Sequence, residues 1–190
     1  MKRIVLSVVL MLAIAPAAMA QGLSDSASNL GATFAPRVTQ GAPRSGFTIL
    51  VNLGVGVQRD DCCAATTTGL AGANLGIGAF VTDTIAVLGR FSGTNVSHGF
   101  GDQTSGVLGG TVQVWVSDRF AIEGGAGMGY WSLGSGLSEV GFGIIVGATG
   151  IIISRGNHNL IAGVEYAPAF TDPATVHNFG FTIGYQFIRR

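Results

Sequence analysis

The strongest constraint on how this chain folds is an alternation of period two that recurs from residue 46 to residue 187. One face of each segment is aliphatic or aromatic, and the other is Gly, Thr, Asn or Gln. Successive side chains of a strand point to opposite faces, so each segment reads as a strand with one apolar face. The first places Phe47, Ile49, Val51, Leu53, Val55 and Val57 against Thr48, Leu50, Asn52, Gly54, Gly56 and Gln58. The last places Phe179, Phe181, Ile183, Tyr185 and Phe187 against Asn178, Gly180, Thr182, Gly184 and Gln186. Eight such segments are expected, near 47–58, 71–81, 85–92, 108–116, 120–130, 140–149, 159–166 and 178–187. About ten residues at period two is the length of a tilted strand crossing a bilayer.

Which face meets solvent follows from charge. Only 11% of the residues are charged, where a soluble domain carries about a quarter. After residue 20 there is no lysine, and eight Arg stand against ten Asp or Glu, a net charge of about −2 with His neutral. Turned inward, the apolar faces would leave a nearly charge-free, Gly-rich exterior in water, as a lipocalin-like ligand barrel would, and solubility demands more charge. Turned outward, they suit lipid. After the N-terminal segment no apolar run is long enough for a spanning helix, since Gly interrupts even Val140 to Ile153. A closed barrel is then the remaining way to satisfy every backbone group in lipid. The expected fold is all-β, an eight-stranded antiparallel up-and-down transmembrane β-barrel.

Residues 1–20 read as an export signal: Lys2 and Arg3, an apolar run from Ile4 to Ala15, then Ala18-Met19-Ala20. That pattern predicts cleavage after Ala20, and no Cys follows the cleavage point to carry a lipid. Residues 21–45, with Pro36 and Pro43 and no periodicity, read as a flexible periplasmic segment. The barrel domain is 46–190. Tight turns at Thr82-Asp83-Thr84, Ser117-Asp118-Arg119 and Ser154-Arg155-Gly156-Asn157 alternate with longer polar loops near 59–67, 93–105, 132–138 and 169–176. Short turns at one end and longer loops at the other is the asymmetry of outer-membrane barrels, with turns in the periplasm and loops outside. Phe47, Phe120, Tyr185 and Phe187 fall near the turns, and Phe91, Tyr130, Tyr166 and Phe179 near the loops, which predicts two interfacial girdles. Phe80, Trp115 and Trp131 break the phase by landing on the lumen face.

The export signal, the hairpins Gly78 to Ala86 and Val116 to Glu123, and the alternating strand Phe179 to Phe187 together resemble the bacterial outer-membrane β-barrel protein family, the small eight-stranded barrels of the outer-membrane protein A and X type. The resemblance implies a location in the outer membrane, contact with its lipids, and handling by the barrel-assembly machinery. In that family the last strand commonly ends on an aromatic residue; here Phe187 is followed by Ile188, Arg189 and Arg190.

Arg90, Glu123 and Glu165 face the lumen about seven, five and nine residues beyond their turns. At about 2.4 Å of axial rise per residue, those heights are roughly 17, 12 and 21 Å, so two carboxylates bracket the guanidinium. An ion-pair network filling a narrow bore is the expected arrangement; lumen glycines leave space for water and keep a narrow solute channel as the alternative. Adjacent Cys62 and Cys63 lie in the first outer loop. A vicinal disulfide across Cα atoms about 3.8 Å apart would be strained, and intermolecular pairing is the other option. No His or further Cys stands at metal-ligand spacing. Ser97-His98 suggests a lipid-acting esterase or acyltransferase, but neighbouring strand residues point to opposite faces. The Gly125 to Gly129 run lacks the Lys-Ser/Thr ending of a phosphate loop. No cofactor, metal or nucleic-acid partner is expected. The sequence thus points to a non-enzymatic structural or surface-interaction barrel whose surface partner it does not identify, with the channel second and the lipid-modifying enzyme third.

Overall fold

The computed structural model describes residues 43–61, 66–98, 101–134, 136–172 and 175–189. The export signal, most of the segment before the barrel, and Cys62 and Cys63 lie outside the described residues. Nine strands run in order: β1 (Gly46–Asp60), β2 (Thr66–Phe80), β3 (Ile85–His98), β4 (Gly101–Trp115), β5 (Phe120–Leu133), β6 (Leu137–Arg155), β7 (His158–Tyr166), β8 (Ala169–Phe170) and β9 (Thr175–Ile188). Every pairing is antiparallel, and β1 pairs with β9 from Thr48↔Ile188 to Asp60↔Val176, closing the sheet into a ring. β7 and β8 form one stave, since both lie between β6 and β9. Pro168 divides them because it has no N–H to give the ladder. The wall is therefore an eight-stave, up-and-down barrel.

At the division the wall stays hydrogen-bonded: Ala167 N donates to Asn178 O at 2.9 Å, and Ile144 N donates to Pro168 O at 3.1 Å. The turns are built by hydroxyls. Thr82 Oγ1 accepts from Ile85 N at 3.0 Å and Ser117 Oγ from Phe120 N at 3.1 Å, the local side-chain to backbone bonding that Ser and Thr offer. The third turn places Gly156 at φ +60°, a conformation that glycine adopts without steric cost.

The strands are longer at the loop end than alternation predicts. β3 and β4 pair out to His98↔Gly101, and β5 and β6 to Leu133↔Leu137. The expected loops at 93–105 and 132–138 are thus mostly strand. In β3–β4 the outward residues there are polar, as in the pairs Asn95 Nδ2 to Thr104 Oγ1 at 3.0 Å and Ser97 Oγ to Asp102 Oδ1 at 2.7 Å. Above an apolar band, the ladder continues while the apolar pattern stops.

The exterior is apolar, with Phe181 69% and Val140 64% exposed and Leu53, Val55, Ile77 and Ile183 beside them in character. The interior holds Thr48, Asn52, Asn74, Thr111, Gln113 and Gln186, all buried. Two aromatic bands bound the apolar wall. At the loop end Phe91 stacks on Tyr130 at 6.1 Å, Phe142 on Phe170 at 6.2 Å and Tyr166 on Phe179 at 4.5 Å; at the turn end Phe47 and Phe187 lie 5.9 Å apart. No helix among the described residues is long and apolar enough to cross a membrane.

The interior glycines do not simply leave room for water. A Cβ on Gly76 would lie 2.9 Å from Arg90 Cδ, and one on Gly127 would strike the Leu108 carbonyl and Gly109 Cα, whereas Gly110, exposed on the outer face, has nothing within 4 Å of such an atom. Gly127→Val is therefore expected to abolish the compact, heat-sensitive species on a gel that marks a folded barrel, while Gly110→Val retains it. Equal mobility shifts in both variants would contradict this packing.

Candidate functional site in the barrel interior

The lumen is filled in layers. At the turn end Leu50, Trp115, Ala121, Ile151, Ile161 and Ile188 form a buried apolar cluster with Phe80 packed against it. Phe80 and Trp115 face the lumen because this plug needs their volume; they are not displaced girdle residues. Arg44 covers the plug, its guanidinium carbon 4.2 Å from the centre of the Trp115 ring and its Nη2 donating to the Asp118 carbonyl at 2.8 Å. Ser45 N donates to Arg189 O at 3.0 Å. The expectation of a disordered segment reaching to residue 45 thus fails at its last residues: cation–π contact and hydrogen bonding hold them. Above the plug, Gln113 Oε1 accepts from Trp115 Nε1 at 3.2 Å and from Gln186 Nε2 at 3.0 Å.

The next layer brings Arg90, Glu123 and Glu165 together from β3, β5 and β7. Arg90 Nε meets Glu123 Oε1 at 2.7 Å and its Nη2 meets Glu165 Oε2 at 2.5 Å, with all three side chains at least nine-tenths buried. Thr111 Oγ1 donates to Glu123 Oε1 at 2.7 Å, Asn74 Nδ2 donates to Glu165 Oε1 at 3.0 Å, and Ser92 Oγ donates to the same oxygen. Charge-assisted bonds of this kind are the strong ones, and removing one partner strands a buried charge. Toward the loop end Val107, Ile145 and Ala167 form a second apolar cluster, and Ser105 Oγ donates across the lumen to Asn178 Oδ1 at 2.8 Å. Gln58, Gln103 and Trp131 near that end carry buried polar atoms without hydrogen-bond partners among the described residues.

The histidines lie elsewhere. The His98 side chain is outside the described residues, and Ser97 is already engaged with Asp102. His158 Nδ1 lies 2.6 Å from Tyr185 Oη in the turn-end band. At the loop end Tyr166 Oη lies 2.7 Å from His177 Nδ1, whose Nε2 lies 3.1 Å from Asp61 Oδ2. Sequence reasoning missed this chain of contacts, because Asp61 at the end of β1 meets β9 only through ring closure and no local spacing announces it. Among the described residues no group of three or more His, Cys, Asp or Glu could hold a metal ion.

No protein-family model matches the sequence, and no curated protein matches it. Solved structures do. The attachment invasion locus protein Ail of Yersinia pestis aligns at TM-score 0.54 with 17% identity, over 75% of this chain and 99% of that one. Neisserial surface protein A aligns at TM-score 0.55 with 14% identity, over 78% of this chain and 99% of that one. The chain has the fold of a small outer-membrane β-barrel. Identity at this level carries the architecture, which is that of the outer-membrane protein A and X type.

Removing Arg90 leaves two facing carboxylates in a closed interior. Arg90→Ala is expected to cost about 3–5 kcal/mol of stability, while Arg90→Met combined with Glu123→Gln and Glu165→Gln recovers most of it. Urea titration of the refolded barrel measures both, and an Arg90→Ala variant as stable as the parent would show that the network bears no charge balance.

Proposed function

We propose that the chain is an integral outer-membrane barrel, exported by its N-terminal signal and inserted with the turns toward the periplasm, that acts as a structural or surface-interaction protein without catalytic activity. The observation that supports this reading is the filled interior. A solute would have to displace both the Arg90 network and the Trp115 plug, and neither offers a continuous polar path. Outer-membrane lipids are the expected contact of the apolar wall, and the assembly machinery would engage the chain during insertion. The extended hairpins β3–β4 and β5–β6 are the surface left for a partner, their exposed residues above the aromatic band being mostly polar, with Leu137 59% exposed among them. A narrow channel gated by Arg90, Glu123 and Glu165 is the competing reading, and the unpartnered polar atoms near the loop end are the feature in its favour.

Planar-bilayer recording separates the two. Folded parent protein, verified by heat-shifted mobility, is expected to give no discrete openings. A Trp115→Ala, Arg44→Ala double variant is expected to stay silent as well, because the Arg90 network still spans the bore. Reproducible openings in the parent that change with Arg90→Ala would replace the structural reading with the channel.

A further inference from the structure

Beside Glu165 lies a small, partly open space lined by Asn74, Ser92, Thr94, Glu165, Asn178 and Thr182. Its size is that of about one water molecule. We infer that it is a binding site for a monovalent cation.

Three features carry the inference. First, the interior layer pairs one guanidinium with two carboxylates, so with both ionised it holds one uncompensated negative charge. A buried charge without a partner is costly, and an adjacent cation removes that cost. Second, the lining presents oxygen whose hydrogens are already used. Ser92 gives its hydroxyl proton to Glu165, which leaves the lone pairs of Oγ. Asn74 gives Nδ2 to Glu165, and Asn178 gives Nδ2 to the Ala167 carbonyl at 2.9 Å. Third, Thr94 and Thr182 are 5% and 8% exposed and line the same space. Their two hydroxyls, lining the space beside an excess carboxylate, supply neutral oxygens to a cation. The charge selects the valence: one positive charge brings the layer to neutrality, whereas a divalent ion would overshoot it. Neutral hydroxyl and carboxamide oxygens with one carboxylate suit a hard alkali cation better than a transition metal.

The test is thermal unfolding of the refolded full barrel in zwitterionic detergent at fixed ionic strength, with sodium, potassium or N-methylglucamine chloride. The expected result is a saturable rise of the midpoint with sodium or potassium, about 5–10 °C at a hundredfold excess over Kd, and none with N-methylglucamine, which is too large for the space. Glu165→Gln, which leaves a balanced Arg90–Glu123 pair, is expected to remove the cation dependence. Thr94→Val keeps the charge and is expected to weaken cation affinity at least tenfold, so the inference stands testable even if one variant folds poorly. Rubidium-soaked crystals should show anomalous density in this space. Equal midpoints in all three salts, with no rubidium density, would overturn the site and leave a proton on the network or a lone water as the occupant.

Discussion

Every feature of this molecule depends on closing a backbone hydrogen-bond ladder on itself. A strand edge left open in hydrocarbon strands N–H and C=O groups at several kcal/mol each, and the β1–β9 pairing removes the last edge. Closure also explains why a chain with so few charges can hide its polar groups. One face of each strand turns to the exterior and is apolar, and the other turns to a bore that an eight-strand ring leaves barely wider than its own side chains. The division of the seventh stave at Pro168 is tolerated because neighbouring backbone atoms take up the ladder on both sides.

A bore of that size is either packed or wet, and here packing and polarity alternate along it. Trp115 and its apolar neighbours close the turn end, the Arg90 network spans the middle, and Val107 with Ile145 fills the wall above it. Each layer satisfies a different requirement: apolar volume where hydrogen-bond partners are few, and charge only where every carboxylate meets donors. Arg44 ties the segment before β1 to the turn between β4 and β5, where its Nη2 donates to the Asp118 carbonyl. A filled lumen moves attention to the surfaces, the lipid-facing wall and the hairpin ends.

The architecture was legible in the sequence because the side-chain period of a strand is two and the lipid-facing side tolerates no charge. Phe47 to Val57 and Phe179 to Phe187 could be assigned a face from that alone, and so could the lumen residues Arg90, Glu123 and Glu165. Strand ends were not legible. Past the apolar band both faces are polar, so Asn95 and Thr104 carry no alternation although they sit in a regular ladder. The roles of Phe80 and Trp115 were hidden for a related reason: an aromatic on the lumen face looks like a phase error until the closed ring shows a plug to be filled. Asp61 reaches His177 across the ring closure, from more than a hundred residues away in the chain, information that no local pattern holds.

The face assignment is the claim on which the rest depends, and fluorescence quenching by brominated lipids tests it most directly. In a Trp131→Phe background Trp115 is the one remaining indole, and it is fully buried in the plug. In vesicles of brominated lipid its emission should match that in ordinary lipid, whereas a Phe181→Trp variant that also carries Trp115→Phe should be strongly quenched. Strong quenching of Trp115 together with an unquenched residue 181 would mean that the strands face the other way and that the barrel is not the one described.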